Sequence, residues 1–440
     1  MGRVQYLHDC WYLNLPRVQP FYALRCNADP VLLNLLAEQH DIGFYCSNEK
    51  DIDAALGLVS TDRIIYANPL WTKKTLRNAA DLGINMISFE SEAELRRIAD
   101  HHPSASLVLR ICVNPSLNED PVHNDHTVVL KAPAIFCLAE QLGMKIVGLS
   151  FSVGAETRSL VIYEYAVMQC RRLLDVAASY NHHISILDIG GGFPTPTPLS
   201  SSVPSFQTVA SAINIALDEY FPKSEFNDLH IIAEPGRYFA ASAFLLVTNI
   251  IEKCCTDACN VTNDEYDSGS TAFIYHTNEG FFGSFGCLLS EKCCPCCEPL
   301  WDSESDIDTV TYASIRGPTH NDLDVIQSVT RLQQMKVGDW LLWKDMGAYS
   351  MGNEETLGET STPSPNVYYF DRMEHWDQIC GSDRSKTGSD NMLDLANSLI
   401  EDSLSISGTE TDCQSLGDSL PENNNAFNES VLSHTDWTVD

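Results

Sequence analysis

Two short motifs carry side chains and backbone groups that could bind an anionic ligand. Gly190 to Gly192 end an apolar run, and glycines let backbone N–H groups approach an anion without side chains in between. Glu234 and Arg237 flank a Pro-Gly pair on one short turn. Guanidinium and backbone N–H groups bind phosphate, so the two motifs predict a phosphate site, with Glu234 directed at another atom of the same ligand. The alternative is that the glycines only serve turn geometry and that Arg237 pairs with Glu234.

A third chemical signal is the arginine that ends the apolar run Phe21 to Leu24. A run of this kind after Pro20 is typical of a buried strand, and a charged residue at its end points into a site or lies at the surface. The run alone leaves both readings of Arg25 open.

The elements that must position these residues alternate between strand-like and helix-like patterns. Apolar residues recur every three or four positions in five segments, which predicts helices at Val31 to Gln39, Lys73 to Leu82, Glu92 to His101, Leu160 to Tyr180 and Val209 to Tyr220. Strands are predicted between and around them, at Phe21 to Leu24, Ile42 to Cys46, Arg63 to Ala67, Met86 to Phe89, Leu107 to Val113, Val147 to Val153, Ile184 to Ile189 and Leu229 to Glu234.

Strand and helix in alternation predict an α/β fold with a parallel (β/α)8 barrel over residues 1–242. In such barrels functional residues collect at the carboxyl ends of the strands. The residues expected there are Arg25, Tyr45, Arg110, Ser152, Gly190 to Gly192 and Glu234.

From residue 243 the pattern changes to strands without helices between them, which predicts a mostly antiparallel β domain over 243–378. Its strands are expected at Phe244 to Asn249, Ala272 to His276, Asp339 to Trp343 and Asn366 to Phe370. Between Gly381 and Asp440 the chain has 12 acidic and 2 basic residues and few apolar ones. We therefore expect a disordered acidic tail over 379–440, with a transient helix at most around 391–403.

The net charge of the chain excludes some classes of binding partner. The net charge of -33 disfavours nucleic acids and anionic membranes as partners, because like charges repel. No segment has the length of a membrane span or of a secretory leader, so a cytoplasmic protein is expected.

Most of the sixteen cysteines stand singly in apolar segments, which is typical of reduced, buried thiols. The cluster Cys293 to Cys297 lacks the usual spacing of zinc ligands, so a reduced surface loop is favoured over a metal site.

Several motifs in a fixed order resemble those of eukaryotic ornithine decarboxylase and its non-catalytic relatives, the antizyme inhibitors. They span about residues 16 to 378. The resemblance implies a pyridoxal phosphate-binding barrel followed by a β domain. The family pattern also begins earlier, which implies that one strand of the β domain is missing here. The motifs are Phe21 to Asn27, Leu187 to Pro194, Glu234 to Tyr238, Gly283 to Phe285, Gly317 to Thr319, Val337 to Trp340 and Met346 to Tyr349.

The resemblance assigns roles to residues that match the family pattern. Glu234 would pair with the pyridine nitrogen of the cofactor and keep it protonated. Glu279 stands at the position of an acid that binds the distal amine of the substrate, and Asp324 at the position of an acid that crosses the dimer interface. The groups assigned to the cofactor are the backbone of Gly190, Gly191 and Gly192 with Arg110, Arg237 and Tyr349.

Departures from the family pattern fall in the same implied pocket. Arg25 stands at the position of the lysine that forms the Schiff base, and a guanidinium that stays protonated cannot act as that nucleophile. His320 and Asn321 replace a proton-donating cysteine and a substrate-binding aspartate, so no catalytic residue is intact. In three further departures, Ser152 replaces a histidine of the family pattern, Ala155 replaces a serine and Tyr45 replaces an aspartate. The segment between Val128 and Ala134 is also shorter than in the family.

These departures favour a pseudoenzyme that regulates polyamine biosynthesis as an antizyme inhibitor does, with pyridoxal phosphate lost or held without a covalent link. The antizyme-contacting segment of the family matches residues 71–80, where Lys73, Lys74 and Arg77 form a basic helix face. A solvated surface is the plainer reading of that face. A homodimer, or a heterodimer with ornithine decarboxylase, is the expected assembly. The alternative function is a pyridoxal phosphate-dependent decarboxylase that makes putrescine from ornithine.

Overall fold

The computed structural model describes residues 2–113, 129–154, 159–195, 204–290, 295–301, 310–319, 321–350 and 365–370. The expected acidic tail and its short helix lie outside these ranges, and so do Ala155 and His320. Within them, Arg3–Ser364 form one compact unit. The domain limits expected at 242 and 378 stay predictions.

Eight parallel strands close into a barrel in chain order, as the sequence predicted. Each predicted strand overlaps an observed one, and the strand at Met86–Phe89 has the predicted bounds. Apolar residues run through these strands because both of their faces are buried. The strands are β1 Val18–Ala23, β2 Gly43–Cys46, β3 Ile64–Tyr66, β4 Met86–Phe89, β5 Ser106–Ile111, β6 Lys145–Phe151, β7 Ile186–Asp188 and β8 His230–Ala233.

Helices cover the outside of the barrel, and all five predicted helices are present within a few residues of their expected ends. Capping boxes at Ser91 and Thr72 fix the starts of two of them, because each side chain accepts the N–H three residues on. The helices are α1 Gly2–Asn14, α2 Pro30–Glu38, α3 Glu49–Leu56, α4 Lys73–Asp81, α5 Glu92–His101, α6 Ala132–Gln141, α7 Val161–Ser179, α8 Phe206–Tyr220 and α9 Arg237–Ala240.

Periodicity did not predict α1, α3 or α6. The first of these buries Val4, Leu7 and Trp11, and Trp11 is the largest of the three side chains. The Trp11 ring packs on Phe206 of α8 and on Tyr238 of α9, and its Nε1 donates to the Val18 carbonyl over 2.8 Å. Trp11, with Val4 and Leu7, therefore attaches α1 to the barrel.

The barrel interior holds its own small apolar cluster, separate from the cluster between strands and helices. Phe21, Tyr45, Ile65, Ile186 and Ile232 form it, from five different strands. This packing fills the barrel below the carboxyl ends of the strands, so a ligand site is confined to the mouth.

The second sheet has six strands in the order β11-β14-β9-β10-β12-β13. All neighbouring pairs are antiparallel except β10 with β12, which confirms a mostly antiparallel sheet. Its strands are β9 Leu246–Asp257, β10 Thr271–Thr277, β11 Cys297–Pro299, β12 Val310–Arg316, β13 Val325–Gln333 and β14 Trp340–Trp343, and two four-residue helices, α10 Cys259–Thr262 and α11 Cys287–Ser290, lie between them in the chain.

The prediction of a strand at Asn366 to Phe370 is wrong. The residues 365–370 are described without helix or strand, and neither sheet includes them. An alternating pattern gives a strand only where a neighbouring strand takes up its backbone N–H and C=O groups.

Across the described residues, no helix combines the length and apolar character that a membrane crossing requires.

Candidate functional site

The glycine turn after β7 is shaped by close backbone contacts. Gly190 and Gly192 have φ of 71° and 86°, in the left-handed region that favours glycine. A Cβ on Gly190 would collide with the Phe151 carbonyl oxygen, and one on Gly191 would lie 2.8 Å from the Glu234 carbonyl oxygen. Side chains are excluded from this turn, so its open backbone can serve as an anion cradle.

Arg110 of β5 and Glu234 after β8 meet inside the barrel mouth. The Nη2 atom of Arg110 donates to both carboxylate oxygens, over 3.0 and 2.9 Å. The backbone N–H of Glu234 donates to the Gly190 carbonyl over 2.7 Å, which joins this acid to the glycine turn. The sequence did not pair Arg110 with Glu234, and the structure shows that Arg110 holds this carboxylate.

A second acid, Asp188 at the end of β7, belongs to the same site and is almost fully buried. Its Oδ2 accepts from the Ser150 hydroxyl and its Oδ1 from the Gly190 N–H, each over 2.9 Å. Burial raises the pKa of Asp188 well above its ordinary value, and the charge of Glu234 and a hydrogen bond to it raise the pKa further. Asp188 thus keeps its proton at pH values where an exposed aspartate is ionised.

Sequence reasoning gave no role to Asp188 or to Ser150. The available signal was a polar residue at the inner end of an otherwise apolar strand, which in a barrel points toward the mouth. The meeting of the two residues depends on the register of β6 against β7, where Ser150 lies opposite Asp188.

The raised pKa of Asp188 gives a testable pH dependence. Below the ordinary aspartate pKa of 3.8 the buried acid is protonated in both folded and unfolded chains. As pH rises toward the folded-state pKa, only the unfolded chain loses the proton, so this group destabilises the fold progressively. Asp188→Asn keeps an oxygen acceptor for Gly190. We expect the variant to gain stability relative to the wild type as pH rises, measured by urea unfolding at several pH values.

The groups that face Asp188 must stay in place for this comparison, and they include Glu234, Arg110, Tyr45 and Cys170. Asp218→Asn, at an exposed acid on α8, controls for the loss of one charge. A stability difference for Asp188→Asn that does not change with pH would contradict a retained proton.

Tyr45 and Arg110 leave two buried polar atoms without hydrogen bonds. The Tyr45 ring is 5% exposed, and the Arg110 Cζ lies 6.0 Å from its centroid. Neither the Tyr45 Oη nor the Arg110 Nε makes a hydrogen bond of ordinary geometry, although Ser88 lies close enough to Tyr45 to affect its pKa. Burial raises the pKa of Tyr45, so its hydroxyl keeps a proton to donate.

Arg25 lies in a short 3-10 turn, Leu24–Cys26, at the carboxyl end of β1. It is exposed, and within the described residues it makes no hydrogen bond or ion pair. Its charge reaches Asp51 of α3, whose pKa is raised by burial and pulled in the opposite direction by Arg25. The structure therefore places the arginine at the end of the barrel where the site lies, at its solvent edge. Ser152, just after β6, is likewise exposed.

Tyr349 and Arg237 reach the site from outside the strands. Tyr349 has φ of 58°, uncommon for a non-glycine residue, and its N–H donates to the Cys26 carbonyl over 2.8 Å. Arg237 begins α9 directly after Gly236, where a Cβ would lie 2.8 Å from that of Cys26. The backbone of Tyr349 and the start of α9 thus lie beside the turn that carries Arg25.

The predicted substrate acids are bound by loops of their own chain. Glu279 is buried and accepts the Ser284 N–H over 3.0 Å. Asp324 is buried and accepts from the N–H groups of Phe281 and Thr319, over 2.7 and 3.0 Å, and from the Thr319 hydroxyl. Both acids act here as acceptors that hold turns.

Asn321 is exposed, and its Oδ1 accepts the Leu323 N–H over 2.9 Å. Its predicted neighbour His320 lies outside the described residues. Where an acid would present a charge to a cationic substrate, this position offers a neutral amide that already caps its own turn.

The predicted basic face lies on α4, where Lys73, Lys74 and Arg77 are exposed. Together with acids of α3 they line an open groove of about 780 Å³. Lys74 Nζ lies 3.4 Å from a carboxylate oxygen of Glu49, across that groove. Trp71, which opens the matched segment, is buried, with its Nε1 donating to the Ser88 carbonyl over 3.2 Å. The exposed surface of the segment is therefore formed by the helix and its N-cap residue, Thr72.

No metal centre emerges from the described residues, which hold no group of three metal-ligating side chains. Cys296 is exposed, and Cys297 donates to Gln327 Oε1 over 3.2 Å, while Cys293 and Cys294 lie outside the described ranges.

Comparisons with known proteins agree with this fold. The sequence model of the pyridoxal binding domain of pyridoxal-dependent decarboxylases matches residues 1–241. Ornithine decarboxylase of Caenorhabditis elegans is 35% identical over 84% of this chain and 85% of its own length. Antizyme inhibitor 2 of Xenopus laevis is 36% identical over 80% of this chain and 76% of its own. The arginine decarboxylase of Paramecium bursaria Chlorella virus superposes with a TM-score of 0.70 at 30% identity, over 79% of this chain and 89% of that structure.

Proposed function

The chain belongs to the pyridoxal-dependent decarboxylase family that includes the eukaryotic ornithine decarboxylases and antizyme inhibitors, and we propose that it is a non-catalytic regulator of the antizyme-inhibitor type. The observation that carries the proposal is Arg25 at the carboxyl end of β1. The resemblance expects a lysine amine there, and a guanidinium offers no nucleophilic lone pair at accessible pH.

The remaining residues fit part of the pyridoxal phosphate that the family uses. Gly190 and Gly191 form a turn that a Cβ would fill, which suits a phosphate, and Glu234 would face the ring nitrogen. When bound, this cofactor acts as an electron sink for the substrate. The residues that would hold it are the glycine turn, Glu234, Arg110, Arg237 and Tyr349, without a covalent anchor. We therefore propose weak, reversible binding.

The proposed contact with antizyme is the basic face of α4, formed by Lys73, Lys74 and Arg77. Three exposed cations on one helix stand out on a chain with a net charge of -33. Glu49, Asp53 and Asp81 line the same groove, so this surface carries charges of both signs. Its cations can face acids of a partner, and complementary charges of this kind set the rate of encounter more than the final affinity. The protein would bind antizyme in place of ornithine decarboxylase and spare that enzyme from degradation.

Reversing the charge of this face tests the proposal. We expect the triple variant Lys73→Glu, Lys74→Glu and Arg77→Glu to lose capture by immobilised antizyme, because like charges now meet across the contact. The wild type should be captured at low salt and less at high salt.

A charge-matched control uses exposed bases elsewhere, Arg96→Glu, Arg97→Glu and Lys145→Glu. This control should be captured like the wild type. Wild-type protein that fails to bind under conditions where ornithine decarboxylase is captured would refute the proposal.

The second candidate function is a pyridoxal phosphate-dependent decarboxylase that makes putrescine from ornithine. The geometry that favours it is the intact glycine turn beside the Arg110 and Glu234 pair. An absorption spectrum distinguishes the two functions, because a lysine-linked cofactor gives a visible band that the wild type should lack.

For the regulator we also propose a cytoplasmic location and assembly as a homodimer or as a heterodimer with ornithine decarboxylase. Size measurements on each protein alone and on their mixture test the assembly.

A further inference from the structure

One acid of the groove between α3 and α4 is bound to the basic helix itself. The carboxylate of Glu49 on α3 accepts from Lys74 Nζ over 3.4 Å and, through its other oxygen, from Asn78 Nδ2 over 3.3 Å. Lys74 and Asn78 are four positions apart, so they lie on the same face of α4. An ammonium group and an amide N–H one helical turn apart thus meet a single carboxylate.

The other two cations of α4 are open to a partner. Lys73 and Arg77 are exposed, and within the described residues their side chains make no ion pair or hydrogen bond. Glu49 therefore occupies one of the three cations of the proposed antizyme contact. An acid that approaches α4 meets two open cations, one occupied cation and the repelling charge of Glu49.

The contact that Glu49 makes is one that a partner can replace. The side chains of Lys74 and Glu49 are 83% and 34% exposed, and exposed ion pairs contribute little to stability because water screens them. The start of α3 does not depend on Glu49, since Asn48 caps this helix by accepting the Asp51 N–H over 2.9 Å. The Glu49 carboxylate can therefore leave Lys74 while the fold stays intact.

We propose that Lys74 and Asn78 form a subsite for one carboxylate of a partner protein, and that Glu49 fills this subsite in the free protein. The inference rests on the proposed function and adds to it a contact residue, Asn78, and an internal competitor, Glu49. On binding, the carboxylate of the partner takes the place of Glu49, whose side chain turns into solvent. Glu49 thus lowers the rate and the strength of capture.

Binding of the full-length protein to immobilised antizyme, measured by surface plasmon resonance at low salt, tests the subsite. Glu49→Gln keeps the shape of the side chain and removes its charge. We expect this variant to bind about twofold to fivefold more tightly, mainly through faster association, because a weak internal ion pair and a repelling charge are both lost. Adding Lys74→Gln or Asn78→Ala to Glu49→Gln should remove the gain, since the subsite then lacks one donor.

Asp53→Asn is the matched control, because it removes an equal charge from the same groove without freeing a cation. Asp53 is exposed and makes no ion pair within the part of the chain that the structure describes. This variant should raise the affinity less than Glu49→Gln does.

Three results would overturn the inference while leaving the contact of α4 with antizyme in place. They are equal affinity of the wild type and Glu49→Gln, an equal gain from Asp53→Asn, and a gain that persists in both double variants. Wild-type protein that is not captured at all would refute the proposed function and the subsite together, so the two failures give different patterns.

Discussion

Replacing Arg110 by alanine will destabilise the folded protein by about 3 kcal/mol or more, the lower end of the range for breaking a buried ion pair. The side chains of Arg110 and Glu234 are 24% and 8% exposed, so removal of the cation leaves one carboxylate buried and uncompensated. Asp188 beside it has a raised pKa and keeps its proton, so Glu234 is the carboxylate that loses its partner. Urea unfolding measured by far-UV circular dichroism gives the change in the free energy of unfolding.

The matched control is Arg171→Ala, which breaks the exposed pair of Arg171 and Asp175 on α7. Surface pairs of this kind contribute less than about 1 kcal/mol. The double variant Arg110→Ala and Glu234→Gln should recover part of the lost stability, since the amide carries no buried charge. Equal effects of Arg110→Ala and Arg171→Ala would show that the pair in the barrel mouth is solvated.

Restoring a lysine with Arg25→Lys will restore covalent binding of pyridoxal phosphate without restoring decarboxylation of ornithine. The amine can react with the cofactor aldehyde, whereas the guanidinium cannot. The substrate, however, would still find Glu279 bound to its own loop and a neutral Asn321. A missing proton donor alone costs about 10²-fold to 10⁴-fold in rate.

Two measurements check the expectation: the visible absorption band of the lysine-linked cofactor, and CO2 release from labelled ornithine. Arg25→Gln controls for loss of the positive charge without a new amine, and should show neither. Substantial CO2 release by Arg25→Lys would mean that the pocket is catalytically intact apart from one residue, and would favour the decarboxylase over the regulator.

The sequence by itself determined the barrel, because strand and helix differ in hydrophobic period. Runs such as Met86–Phe89 and Glu92–His101 have the predicted bounds, since their patterns and caps are local. The helix α1 was not predicted, and its Trp11 contacts residues near the far end of the barrel sequence, which a local pattern does not reveal. The prediction of a strand at Asn366 to Phe370 was wrong for a related reason. A strand forms only beside a neighbouring strand, which the local pattern does not reveal.

The sequence also named most residues of the candidate site, since barrel strands present their carboxyl ends to one mouth. Only the tertiary structure decided which of them bond to each other. Arg110 and Glu234 are 124 positions apart, and their contact follows from strand register and barrel closure. The retained proton of Asp188 depends on burial among side chains from other strands. Residue type and spacing determine which chemical groups a site contains. The protonation states and hydrogen-bond partners of those groups are set by long-range packing.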